Sequence, residues 1–336
     1  MRKIIFQACF FLISSTTYCQ IPSNEGTWIL KKQDDFNSIN TNDWHQLYHG
    51  GNCRNSTGLE MVSANNSYIF NGNLRLEAQK SSTPWSCFQG GTTTYHNYRC
   101  GVLYSKFLFK YGFWEISAKL PQGYGFWPAF WLWKAGNCSF YNEIDILERF
   151  GGDILQEYSS IYHWATYDFL CNEYRADYGE EITGLSDLSN SHKYAVEWSP
   201  ERMIFYFDDE PVKVFYDPVF TPKNAMETIL NIAIDSYNPP NGSTVFPAYY
   251  DIDYLKIYQL NTACSTVESI CTFNPTTYNY ALKKSISIAG GSCTSNINTS
   301  SNVALRATDY VLLGDGTTIT ANGSGYFLAD VIPCTD

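Results

Sequence analysis

Three observations predict an all-β, two-sheet sandwich. Residues 28–260 consist of short apolar or aromatic runs, Gly, Asn, Pro and Asp interrupt them, and no 3.6-residue periodicity is sustained. A stretch of that length fits a single sandwich domain. The clearest strands are, in chain order, 73–78, 111–120, 193–198, 203–207 and 250–258. In the first, Leu74 and Leu76 alternate with Asn73, Arg75 and Glu77, the signature of a strand buried on one face. The run 203–207 is apolar or aromatic throughout, as a strand buried on both faces requires. The run 250–258 again alternates, setting Ile252, Leu255 and Ile257 among Asp251, Asp253 and Lys256.

After Leu260 the composition shifts to Ser, Thr, Asn and Gly, and Trp disappears. Val303, Val311, Ile319 and Phe327 recur every eight residues, accompanied by Leu305, Leu313, Ala321 and Ala329. Short repeated strands of this kind predict a small C-terminal β-repeat module over 261–336, solenoid-like or a meander. It lacks acid and aromatic clusters, so attachment, spacing or stabilisation is expected of it. At the other end, Met1-Arg2-Lys3, an apolar run over 4–13 and a polar stretch ending at Cys19 read as a secretory signal peptide over 1–19. Thr17 and Tyr18 fit poorly with a lipoprotein signal. The domain division is therefore 1–19, 20–260 and 261–336.

Composition narrows the partners. The 336 residues carry a formal charge of -11 without a basic tract, which disfavours nucleic acid and anionic membranes. No segment approaches the roughly 20 apolar residues of a membrane helix. Aromatics make up 17 % of the chain, with nine Trp and 26 Tyr, and such rings serve either the core or ligand stacking. Of 11 cysteines, two fall in the leader, leaving an odd number in an exported chain. Disulfides are expected with at least one thiol unpaired within the chain, and the connectivity is not readable. No C-x-x-C pair suggests structural zinc.

The chemistry concentrates at Asn142-Glu143-Ile144-Asp145-Ile146-Leu147-Glu148, three carboxylates in an apolar strand. Plain alternation would place Glu143 and Asp145 on one face and Glu148 on the other, among the isoleucines. An unpaired buried carboxylate is costly, so the pattern asks for one extra residue near Ile146 or Leu147. A β-bulge there returns all three acids to one face. Two carboxyl groups about 5 to 5.5 Å apart across a sugar bond are the apparatus of retaining glycoside hydrolysis. A third between them can share a proton with the nucleophile and raise a neighbour's pKa by like-charge crowding. E-x-D-x-x-E alone arises by chance in roughly one chain of this length in fifteen, so its setting decides.

That setting resembles glycoside hydrolase family 16, whose bulged subgroup carries E-[I/V]-D-x-x-E on a strand of a concanavalin A-like β-jelly roll. The run 110–121 looks like the strand before the family's catalytic loop, and Gly125-Phe126-Trp127-Pro128-Ala129-Phe130-Trp131 like its W-P-A-x-W segment. Ile161-Tyr162-His163-Trp164 resembles the strand bearing the family's active-site histidine, and 251–258 its closing strand. The resemblance implies Glu143 as nucleophile, Glu148 as general acid and base, and Asp145 as the residue tuning Glu143. It implies Trp127 and Trp131 stacking on sugar, although Trp131 reads equally well as core, and His163 touching the site. No catalytic cofactor is implied. A structural calcium is, at Asp253 with the backbone near Gly72 and an acid near Asp35.

The expected substrate is a β-linked polysaccharide, foremost a β-1,3-glucan of the laminarin type, cut internally by a secreted monomer. Asn142 departs from the small residue that glucanases of the family usually carry before the first Glu, which keeps red-algal galactans (agar, porphyran, carrageenan) as the alternative. Sulfated galactans would call for cations in the cleft, with Arg54, Arg99, Arg149 and Arg175 as candidates, whereas the overall acidity leans toward a neutral glucan. A non-catalytic carbohydrate-binding jelly roll and a transglycosylase complete the alternatives.

Overall fold

The structure is a computed structural model that describes residues 27–335, apart from 49–50, 52, 54–57, 136–140, 152–157, 168–172, 186, 217–220, 276–277, 299–302 and 321–326. Two antiparallel-dominated sheets face one another across the main core. The seven-stranded sheet runs in the order β12 (Glu173–Ile182), β11 (Tyr158–Tyr167), β10 (Tyr141–Glu148), β9 (Phe126–Ala135), β16 (Glu227–Ile234), β7 (Val102–Ser105) and β2 (Trp44–His45).

The ten-stranded sheet begins with β15 (Glu210–Tyr216), β14 (Arg202–Phe207), β13 (His192–Trp198) and β8 (Gly112–Lys119). It continues through β17 (Ala248–Leu260), β5 (Asn73–Gln89), β6 (Thr92–Cys100) and β3 (Glu60–Val62). Beside this path β1 (Trp28–Asp34) pairs with β17 and β4 (Ser67–Phe70) with β5. Each strand expected from the sequence falls on one of these, with 111–120 overrunning β8 by one residue at each end. Leu74, Leu76, Trp114, Ile116, Ile252 and Ile257 of the ten-stranded sheet meet Phe130, Leu132, Ile144, Leu230 and Ile232 of the seven-stranded sheet in one buried cluster. Alternation therefore leaves one face of the seven-stranded sheet pointing away from the core, and that face carries the site.

Beyond β17 a single residue, Asn261, leads into β18 (Thr262–Ile270). With β19 (Leu282–Ile288), β21 (Val303–Leu313) and β23 (Phe327–Val331) it forms a parallel four-stranded sheet, and β20 (Ser295–Asn298) pairs in parallel with β22 (Thr317–Thr320). Parallel neighbours make this solenoid-like, and a meander is excluded. The eight-residue recurrence is not one strand per repeat: Val303 and Val311 share β21, and Val303 pairs with Phe327, a full turn of the coil later.

The module is bonded to the jelly roll. Leu282 and Ile332 pack with Trp28, Phe113, Ala195, Ile204, Tyr206 and Leu260 on the outer face of the ten-stranded sheet. Disulfides join Cys53 to Cys87, Cys264 to Cys334 and Cys271 to Cys293, while Cys100 is a buried free thiol. Cys138, Cys171 and the leader over 1–19 lie outside the described residues.

Candidate active site

The strand β10 contains the bulge that its sequence asks for. Against β9, Asp145 stands opposite Trp131 and Leu147 opposite Phe130, so Ile146 is the extra residue. Against β11 the pairs Asp145 with Ile161 and Glu148 with Ser159 carry the same insertion. Ile144, Ile146 and Leu147 all enter the core. The acids take the other face, where Glu143 lies beside Trp133, Asp145 beside Trp131 and Glu148 beside Ala129. One inserted residue thus reconciles three buried aliphatics with three acids on the open face.

Burial sets the electrostatics. Asp145 is 1 % and Glu148 6 % exposed, and Glu143 is half-buried. Burial first, then the charge of Glu143, raises Glu148 to about 8, while a hydrogen bond donated by the Trp127 indole works the other way. That bond spans 2.9 Å from Nε1 to Oε1, and the buried Oε2 has no partner among the described residues. Asp145 is held well above the usual carboxylate range, by burial first, then by the charges of Glu148 and Glu143 and a hydrogen bond to Glu143. At neutral pH the cluster keeps protons that exposed carboxyls would have released, and Glu148 is a carboxylic acid able to give one up.

The strand β9 brings the indoles. Gly125 adopts a left-handed φ of +90°, and a Cβ there would stand 2.4 Å from the backbone nitrogen of Pro240. Its N–H donates to the Gly151 carbonyl at 2.8 Å, tying the start of β9 to the chain leaving β10. Trp127, Trp131 and Trp133 then follow on the face of the acids, each half-buried. Trp127 also packs on Phe150 with ring centroids 4.9 Å apart. Trp131 belongs to neither the main core nor the open solvent: it packs on the edge of an apolar cluster of this face and donates 2.7 Å to the Asn231 side chain on β16.

Sequence reasoning missed Trp133, Asn231 and the pair Tyr104 and Glu227. Extending the alternation of Trp127 and Trp131 by two residues reaches Trp133, and Asn231 is a polar residue in the apolar run 229–234, so both carried a signal. His163 lies on β11 opposite Asp177, and its side chain, like that of Arg175 and the whole of Arg54, lies outside the described residues. Arg149 is buried directly after Glu148. Arg99 sits on the ten-stranded sheet, 4.7 Å over the Trp85 ring and bonded to Gln79, away from the acids.

Residues 55–254 match the glycosyl hydrolases family 16. The chain belongs to that family. An endo-1,3-1,4-beta-glycanase, EglC, of Rhizobium meliloti is 27 % identical over 75 % of this chain and 58 % of its own length. The chain spans about half the length of the first curated relatives it matches. The catalytic domain of an endo-1,3-beta-glucanase (laminarinase) from Thermotoga petrophila superposes with a TM-score of 0.56 at 26 % identity, over 69 % of this chain and 98 % of that one. The kappa-carrageenase of Pseudoalteromonas carrageenovora shares the fold, with a TM-score of 0.58 at 19 % identity over 72 % of this chain and 99 % of its own.

Chemistry in this family runs on carboxylates without a cofactor. The resemblance implies a structural calcium at Asp253, with the backbone near Gly72 and an acid near Asp35. Asp253 is exposed at a bulge of β17, Asp35 is engaged by the Gln33 amide at 2.8 and 2.9 Å, and no group of three or more His, Cys, Asp or Glu gathers for a metal among the described residues.

Proposed function

We propose that this chain is a secreted, retaining endo-glycoside hydrolase that cleaves a β-linked polysaccharide, foremost a β-1,3-glucan. The observation that carries the reading is the bulge at Ile146, which puts Glu143 and Glu148 on one face with Asp145 between them. Glu143 attacks the anomeric carbon, forming a glycosyl-enzyme, while Glu148 gives its proton to the departing glycosidic oxygen. Glu148, now a carboxylate, takes a proton from water as that water attacks the same carbon and releases Glu143. Asp145, on the same face between the two glutamates, orients Glu143 and tunes it electrostatically. Trp127 and Trp131 supply faces for sugar rings, and His163 contacts the site from β11.

A neutral glucan is favoured over a sulfated galactan because Arg99, one of the cations a sulfate would need, is committed to Trp85 and Gln79. The module over 261–336 supports the jelly roll and takes no part in the chemistry, and the active species is a monomer.

The test is hydrolysis of laminarin, lichenan, agarose, porphyran and κ-carrageenan by the purified chain, with Glu143→Gln as control. Laminarin oligosaccharides are expected from the wild type and none from the variant. Release that survives Glu143→Gln overturns the nucleophile, binding without release points to a lectin, and products longer than the input point to transfer.

A further inference from the structure

The open face carries a fourth carboxylate that the proposed chemistry leaves unused. On β16, Glu227 stands opposite Trp133, and Trp133 stands opposite Glu143 on its other side. Cross-strand partners share a face and neighbouring strands lie about 4.8 Å apart, which puts Glu227 roughly 10 Å across the sheet from the nucleophile with an indole between them. Met226 and Leu230 turn into the main core while Glu227 is half-buried on the opposite side. The Tyr104 hydroxyl donates to Glu227 Oε2 at 2.7 Å. Tyr104 is in turn wedged edge-on between Trp133 and Tyr48, with ring centroids 6.3 Å from each. The carboxylate is thus held in one orientation beside an aromatic platform.

We propose that Glu227, held by Tyr104, is a specificity residue that accepts hydrogen bonds from the hydroxyls of an uncharged sugar lying over Trp133 and excludes a sugar carrying sulfate or carboxylate there. The inference rests on the hydrolase reading of this face and narrows its substrate class to neutral β-glucans. An ionised carboxylate has only acceptors to offer. Sugar hydroxyls donate to it through charge-assisted bonds stronger than neutral ones, while an anionic substituent meets like charge at short range. Stacking on Trp133 selects for a ring but not for its substituents. Discrimination between glucan and sulfated galactan falls to Glu227.

The experiment measures binding by calorimetry with the full chain in the Glu143→Gln background, using laminarihexaose and a κ-carrageenan hexasaccharide as probes. Adding Glu227→Gln is expected to weaken laminarihexaose at least five-fold and to strengthen the sulfated sugar by a similar factor. Glu227→Asp keeps the charge and shortens the reach, so it weakens laminarihexaose without improving the sulfated sugar; it carries the test alone if Glu227→Gln does not fold. Laminarihexaose affinity unchanged within two-fold, both sugars shifting in the same direction, or no binding of either probe overturns the assignment. If the wild type cuts laminarin while the Glu227 variants bind as before, this inference fails and the hydrolase reading stands. If the opposite shifts appear but the wild type cuts no laminarin, the reverse holds.

Discussion

Glu148 is subject to three influences of known sign: burial and the charge of Glu143 raise its pKa, and the Trp127 indole lowers it, with a resultant of about 8. A general acid must be protonated, so the basic limb of the kcat/KM profile is expected near pH 8. Replacing Trp127 by Phe removes the bond that favours the charged form and should move that limb upward, which a pH-rate profile of the variant reads directly. A limb that stays or falls would assign it to another group. The same residue burdens stability. Below the ordinary glutamate pKa of 4.5 the carboxyl is protonated folded or unfolded; between 4.5 and about 8 only the folded chain keeps the proton, so stability falls as pH rises. Glu148→Gln does not titrate and should gain on the wild type by up to about 1.4 kcal/mol per pH unit across that window. Paired thermal melts at pH 5 and pH 8 check the sign: the variant's advantage in Tm must be larger at pH 8. Stability traded for a functional charge is a common pattern in active sites.

At the scale of the element, β10 works because an odd residue corrects its parity. Deleting Ile146 should leave Glu143, Asp145 and the former Glu148 in strict alternation, still on the open face, with Ile144 and Leu147 still in the core. The expected product folds, melts lower because a buried isoleucine is lost at a cost of about 2–5 kcal/mol, and retains measurable hydrolysis. Deleting Ile144 instead puts Glu143 and Glu148 on opposite faces and should abolish activity. Laminarin assays and melting curves on the two deletions separate the cases; equal loss in both would show that parity is not what matters. This parity was legible in the sequence because the cost of burying a carboxylate is a local quantity. Glu227 and Tyr104 were not legible: their meeting depends on β16 lying between β9 and β7, strands more than 90 residues away in the chain. Alternation fixes which face a residue takes, but not which distant strand lies beside it. The composition shifts after Leu260, but the eight-residue recurrence beyond it could not reveal that neighbours pair in parallel a full coil apart.

For the whole molecule, the consequential contact is the one that joins the module to the sheet behind the site. Glu197 on β13 is 1 % exposed, and such a charge needs partners. Arg202 reaches its Oε1 at 3.3 Å and Arg306 of the module at 3.4 Å, while Asp330 of β23 binds Arg202 at 2.6 Å. Two cations and two anions are thereby balanced across the junction, and the Arg306 guanidinium also lies 5.2 Å over the Trp28 ring. With only Asn261 between β17 and β18, and Leu282 and Ile332 buried against the sheet, the geometry is that of a shared core and unlike a tether. Arg306→Ala leaves buried acid partly uncompensated and should cost about 3–5 kcal/mol, with kcat/KM on laminarin kept because the acids lie on the other sheet. Arg306→Met with Glu197→Gln removes one charge of each sign and should recover much of that loss, the coupling being read from a double-mutant cycle in urea. Truncation after Leu260 would bare Trp28, Phe113, Ala195, Ile204 and Tyr206 together, and aggregation or a marked fall in Tm is expected. A truncated chain that melts as the full chain does would make 261–336 an appendage; a lowered Tm with normal turnover of the soluble fraction would make it the second wall of the fold on which the catalytic sheet depends.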